Sequence, residues 1–106
     1  LPAEAKSEIE TKTFKPQINI ISPKNGDFIK MSAVPVQTNI TGQFDISKIQ
    51  LFFNEELKDE RAGNFGKEIT YQFNLAPLKI ELQNSLKIKV SDSSGNEDVK
   101  EVILYK

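Results

Sequence analysis

From residue 17 onward, apolar and polar residues alternate in short runs, and each run stops at a cluster of turn-forming residues. QINII (17–21) alternates and is β-branched, the pattern of a half-buried strand. SPKNGD (22–27) stacks Pro, Asn, Gly and Asp, a turn signal, ahead of a short extended piece, FIK (28–30). In VPVQTNIT (34–41), Val34, Val36, Thr38 and Ile40 share one face. Pro35 sits near the start of that run, where a missing N–H is tolerated, and Gly42 closes it. ISKIQLFFNEE (46–56) is the strongest strand, with Ile49, Leu51 and Phe53 inward and Phe52 facing the other way. LKDERAGNFGK (57–67) is polar and broken by Gly63 and Gly66, so it predicts a loop with room for a short edge strand. EITYQFNL (68–75) alternates through Ile69, Tyr71, Phe73 and Leu75. APLKIELQN (76–84) alternates at Leu78, Ile80 and Leu82, yet Pro77 interrupts it; a crossing connection with some strand character is expected. SLKIKVSD (85–92) turns Leu86, Ile88 and Val90 inward and its lysines outward. SSGN is a turn, and EDVKEVILYK (97–106) is the last strand, with Val102 and Leu104 or the opposite set inward.

No stretch carries the 3.6-residue period of an amphipathic helix. About seven strands, with turn signals roughly every 8–12 residues, predict an antiparallel β-sandwich. Lys30, Lys87, Lys89 and Lys100 beside the apolar strands would discourage edge-to-edge association. Residues 1–16, LPAEAKSEIETKTFKP, have a different texture: only Leu1, Ile9 and Phe14 are large and apolar. Such a composition buries too little to offset ordering entropy, so 1–16 is read as a linker and 17–106 as the domain. A short helix over 3–11 is the weaker alternative.

Composition narrows the chemistry. The chain has 106 residues, the size of one domain, with no Cys, no His and a net charge of −1. Disulfides, thiolate metal sites, zinc chemistry and a Ser–His–Asp triad are therefore closed to this chain alone. Acids and bases interleave without a basic stripe, which argues against nucleic acid as a partner. No apolar run approaches the roughly 20 residues that span a bilayer, so no membrane insertion by this segment is expected. The first residue is Leu, and the chain reads as a piece of a longer protein.

Three stretches together carry a resemblance: INIISPKNGDFI (18–29), ISKIQLFFNEE (46–56) and LKIKVSDSSGN (86–96). The chain over 17–106 resembles the bacterial immunoglobulin-like domains of extracytoplasmic proteins. Such domains occur as repeats in surface adhesins and secreted hydrolases, and as C-terminal appendages of membrane-anchored peptidoglycan synthases of the penicillin-binding type. The Trp and Cys pair of antibody domains is missing, and Leu86 stands where a tyrosine corner would be sought. The resemblance implies an all-β, immunoglobulin-like antiparallel β-sandwich of about seven strands.

Four stretches are candidate sites. DSSGNED (92–98) offers oxygens from Asp92, Asn96, Glu97 and Asp98. Calcium needs six to eight oxygens, and Asp92, Asn96 and Asp98 are its candidate ligands, although their spacing is not that of an EF-hand. The competing reading is a hairpin turn in which Gly95 takes φ > 0, Asn96 tolerates it and Asp92 accepts nearby N–H groups; the flanking strands favour the turn. PKNGD (23–27) is a turn that places Asp27 near one end of the sandwich. NEELKDER (54–61) gathers carboxylates as glycoside hydrolysis requires, but Lys58 and Arg61 among them read as a solvated loop. Among the aromatics, Phe44, Phe52, Phe65 and Tyr105 are expected at or near the surface, with Phe52 and Phe65 the candidates for apolar contact with a neighbouring domain.

The functional expectation is a non-catalytic spacer or interaction module of a larger extracytoplasmic bacterial protein, at the cell surface, in the wall or secreted. Its partners would be neighbouring domains of the same chain, cell-wall polysaccharide or a surface protein, with no obligatory cofactor. A calcium-rigidified adhesin repeat and a polysaccharide-binding accessory module are the rivals. Within the chain there is no internal repeat.

Overall fold

The computed structural model describes residues 14–30, 33–76 and 79–106. Most of the stretch expected as a linker, the weaker helix over 3–11, and Leu78 fall outside them. Seven strands follow in order: β1 (Gln17–Ser22), β2 (Val34–Thr41), β3 (Ile46–Phe53), β4 (Glu56–Ala62), β5 (Glu68–Leu75), β6 (Gln83–Asp92) and β7 (Glu97–Tyr105). They form two antiparallel sheets, one ordered β1-β2-β5 and the other β4-β3-β6-β7. The chain is an all-β, immunoglobulin-like sandwich. It passes between sheets after β2, after β4 and after β5, so the 76–84 stretch is the crossing connection expected.

The inward phase of each strand builds the core. Val34, Val36 and Ile40 of β2, with Tyr71 and Leu75 of β5 beside them, face Ile49, Leu51 and Phe53 of β3, Leu86, Ile88 and Val90 of β6, and Val102 and Leu104 of β7, all buried. Each such aliphatic side chain contributes about 1.5–3 kcal/mol on leaving water. Gly42, at the crossing from β2 to β3, is tightly enclosed: a Cβ there would come within 3.1 Å of the Phe44 carbonyl oxygen and 3.2 Å of Ile46, so its neighbours would have to give by a few tenths of an ångström.

The edge strand for which the polar 57–67 stretch left room is β4, seven residues long and starting at Glu56, and only 63–67 is loop. Three expectations change. Asn54 and Glu55 form the two-residue hairpin joining β3 to β4, both with positive φ (51° and 69°), as a type I′ turn demands. Leu82, expected in an alternating apolar set, is 81% exposed. Lys87 and Lys89 lie on the outer face of β6, an interior strand of its sheet, where they pair with Glu55 and Glu97. They therefore bridge neighbouring strands rather than guard an edge.

Both open sides of the sandwich are covered by local devices, which blunts edge pairing. On one side, residues 25–29 run beside β7. The Gly26 N–H donates to the Ile103 carbonyl at 2.7 Å, the Tyr105 N–H to Asp27 at 2.9 Å, and the Ile29 N–H to Tyr105 at 2.7 Å. On the other side, β4 is tied to β5 by side chains, as described next.

Candidate functional site

The start of β1 and the loops 42–45, 63–67 and 93–96 lie at one end of the sandwich; the 54–55 turn, the 79–82 segment and the last residues of β7 lie at the other. The chain thus enters at one end and leaves at the opposite one.

DSSGNED sits at the entry end, between β6 and β7. Asp92 closes the inward phase of β6 and is 4% exposed. Its carboxylate accepts the Ser94 and Asn96 N–H groups at 2.9 Å each and the Asn96 side-chain amide at 3.0 Å. The Asp92 N–H donates to the Asn96 carbonyl at 2.9 Å, and Gly95 turns the chain at φ 86°. Asp92 and Asn96 are therefore brought together as acceptor and donor of one turn. Asp98 stands opposite Val90 on β7. Among the described residues, no group of three or more Asp or Glu side chains comes together. The neighbouring loops are joined to this turn: Ser93 N–H donates to the Asp45 carbonyl at 2.8 Å, and the Asn64 amide donates to the Asp45 carboxylate at 3.3 Å. Phe14 packs edge-on against Phe44 at the same end, with ring centroids 5.8 Å apart.

The two apolar candidates separate. Phe65, in the loop before β5, packs against the core. Phe52 is half-buried on the outer face of β3, between Leu57 of β4 and Lys87 of β6. That face is laced by charge pairs: Lys48–Glu60 at 3.1 Å, Lys87–Glu55 at 2.6 Å and Lys89–Glu97 at 3.0 Å. The Glu55 hydrogen bond, outweighing desolvation and helped by the Glu55 and Glu101 charges, holds Lys87 above the usual lysine range. Asp27 lies at the exit end, where it accepts the Lys24 N–H at 2.9 Å. Of the aromatics, Phe28 is the most exposed, at 65%, and its ring lies 6.0 Å from that of Tyr105.

Two constellations went unread in the sequence. On β4, Asp59 and Arg61 face Tyr71 of β5 across the gap between the sheets. The Tyr71 hydroxyl donates to Asp59 Oδ2 at 2.6 Å, and Arg61 Nε donates to the same oxygen at 3.3 Å. The Arg61 guanidinium lies over the Tyr71 ring at 4.6 Å and reaches the Gln72 carbonyl at 2.9 Å. Burial first, then the hydrogen bond and charge of Asp59, push the Tyr71 phenol well above its usual range, against the opposing charge of Arg61. At the exit end, buried Asn84 accepts from the Glu81 N–H at 2.8 Å and the Asn54 amide at 3.0 Å, and donates to the Glu81 carbonyl at 2.9 Å and the Leu104 carbonyl at 3.3 Å. One side chain thus fastens the connection into β6, the β3–β4 turn and the end of β7. The signal was its phase: Asn84, Leu86, Ile88, Val90 and Asp92 share one face of β6, so the period of two carries both polar residues into the interior.

No protein-family description matches the chain, and no curated protein does. Solved structures match it by shape. The fibronectin(III)-like modules of Clostridium thermocellum CbhA are similar, with a TM-score of 0.62 at 14% identity over 84% of this chain and 93% of theirs. The CARDB domain of a Pyrococcus furiosus protein, solved in complex with di-metal ions, matches with a TM-score of 0.60 at 13% identity over 86% of this chain and 93% of its own. An engineered protein matches with a TM-score of 0.57 at 13% identity, over 86% of this chain and 20% of its own. At these identities the likeness establishes the fold alone: an immunoglobulin-like β-sandwich.

Proposed function

We propose that the domain is a rigid, non-catalytic strut: a spacer and interaction module that sets the distance between other parts of a larger extracytoplasmic bacterial protein. The observation that carries this reading is the passage of the chain through the sandwich from one end to the other, along strands of up to ten residues. Such a module transmits position along its long axis. The pinned loops at the entry end and the Asn84 hub at the exit end keep both attachment points fixed to the core. The similar CbhA structures are themselves described as modules, which supports the role by analogy. An appendage of a peptidoglycan synthase is one setting that the sequence resemblance favours; protease treatment of intact cells, which would clip an external domain and spare an internal one, tests the compartment.

In this reading Asp92 is the hub of a turn and the strut needs no metal. Its carboxylate faces N–H groups, which satisfy an anion and leave a cation facing positive hydrogens. Glycoside hydrolysis is not the work of residues 54–61 either: these form a hairpin and an edge strand, with Asp59 committed to Tyr71 and Arg61.

The strut is tested by distance. The chain lacks Cys, so Lys15→Cys and Lys106→Cys give two unambiguous spin-label sites, one at each end. The expected result is a single narrow distance distribution near 30 Å, since nine or ten residues of strand span roughly that length. A broad or bimodal distribution in the folded protein would sink the proposal.

A further inference from the structure

The two outer faces of the sandwich differ in chemistry. The face of the four-stranded sheet is bridged by Lys–Glu pairs, as described above. The face of the three-stranded sheet carries almost no charge. The register aligns its outward side chains in rows: Asn19 beside Asn39 beside Thr70, then Gln37 beside Gln72, then Pro35 beside Asn74. Gln17 and Thr41 complete the array at its near end. Glu68, at the rim, is the one ionisable outward side chain on these three strands. In a chain that is 27% charged, a sheet face this neutral is a distinct surface.

We infer that this face of β1, β2 and β5 binds an uncharged polysaccharide chain lying along the strands. A carboxamide offers an acceptor and two donors side by side, and a sugar hydroxyl is itself donor and acceptor, so a lattice of amides matches a polyhydroxylated ligand. The array is narrow and long: three strands are about 10 Å across, and the outward positions from Pro35 to Thr41 span about 20 Å, the outline of a single extended polymer. Its surface is also hollowed. A depression of about 350 Å³ lies among Ser22, Pro35, Gln37, Gln72 and Asn74, where the exposed Pro35 ring gives an apolar patch for the C–H face of a sugar ring beside amides for its hydroxyls. The other occupants fit worse. Nucleic acid requires Lys or Arg for its phosphates, and a charged glycan would find no counter-charge. A protein partner would seek buried aromatic or Arg anchors, and the outward positions of these strands hold none. The inference stands independently of the strut, since a strut works with either face bare.

The test is affinity electrophoresis of the chain in native gels containing hydroxyethyl cellulose, galactomannan or soluble mixed-linkage β-glucan, with polygalacturonate as the charged control. At least one neutral polymer is expected to retard the protein, equally at low and high salt, while polygalacturonate does not. The Gln37→Ala/Gln72→Ala variant, checked for folding by its thermal transition, is expected to bind about tenfold more weakly, the loss of two modest hydrogen-bonding groups. Val99→Ala, on the opposite sheet, is expected to bind as the parent does. Retardation by none of the neutral polymers would overturn the inference, as would retardation that the double variant leaves intact. A concentration-dependent dimer abolished by the double variant, without glycan binding, would assign the face to a second copy of the chain instead.

Discussion

Replacing Tyr71 by Phe isolates the latch between the two sheets. The hydroxyl donates to a carboxylate at 2.6 Å, and hydrogen bonds to charged groups contribute about 1.5–3 kcal/mol. Arg61 remains on Asp59 after the exchange, and the Asp59 side chain keeps 20% of its exposure, so the lower end applies. A loss of about 1.5 kcal/mol near neutral pH corresponds to a fall in Tm of about 6–12 °C for a domain of this size. The latch also has a pH signature. The folded-state pKa of Tyr71 is raised above the unfolded value near 10. Well below pH 10 both states hold the proton and the stabilisation is complete. Above it the unfolded chain releases the proton while the folded one keeps it, so stability falls as pH rises. Between pH 10 and 11 this loss integrates to about 1 kcal/mol. The loss is about 0.4 kcal/mol by pH 10 and about 1.4 kcal/mol by pH 11, so urea unfolding at pH 7, 10 and 11 should show the parent about 1.5 kcal/mol above Tyr71→Phe at neutral pH, about 1 kcal/mol above it at pH 10 and nearly level with it at pH 11. Parallel pH curves for the two proteins would refute the latch, because they would mean that the Tyr71 phenol releases its proton as readily in the folded state as in the unfolded one.

Three further substitutions probe single features. Thr38 is fully buried and its hydroxyl has no partner among the described residues; Thr38→Val keeps the shape, removes the unpaired group and should add about 1 kcal/mol, read as a Tm rise of about 4–8 °C. Glu55 sits at φ 69°, and Glu55→Gly should stabilise by up to about 1 kcal/mol in urea unfolding, the strain relieved less the entropy glycine gives the unfolded chain; the exposed pair with Lys87 lost in the exchange offsets little. Asn84→Ala strips four hydrogen bonds from one buried site and should cost about 3 kcal/mol, lowering Tm by about 12–24 °C, with the fastest gain in amide exchange at Glu81 and Ser85.

The core was legible wherever alternation and apolarity coincided. The inward sets of β2, β3 and β6 follow from period alone, while the period left both phases of β7 open; the connection after β5 crosses between the sheets, as its interrupted alternation suggested. What escaped were features whose reason lies elsewhere in the chain. β4 has Leu57 as its one large apolar residue, on the outer side, and Asp59 and Arg61 turn inward to meet Tyr71, twelve and ten residues further on, so no apolar alternation fixes the length or the inward face of this edge strand. The Asn54–Glu55 hairpin lacks the glycine that usually marks a type I′ turn. Leu82 alternates with Ile80 yet belongs to a connection, where the period has no sheet to act on. Strand order was also hidden, and with it the neutral face: its amides are scattered over three separate segments and become one surface only when β1, β2 and β5 pair. Asp92 was singled out by composition, and its backbone partners define its part in the turn.

The entry end of the sandwich is held by its own hydrogen bonds, with Asp92 bonded to the turn it organises. Thermal unfolding of the chain in millimolar calcium and again in EDTA probes that arrangement. The same Tm is expected in both. A ligand that binds only the folded state at a hundredfold excess over its Kd stabilises it by about 2.7 kcal/mol, a rise of about 10–20 °C here; a calcium-dependent rise of that size, abolished in Asp92→Asn, would contradict the account and make DSSGNED a metal loop.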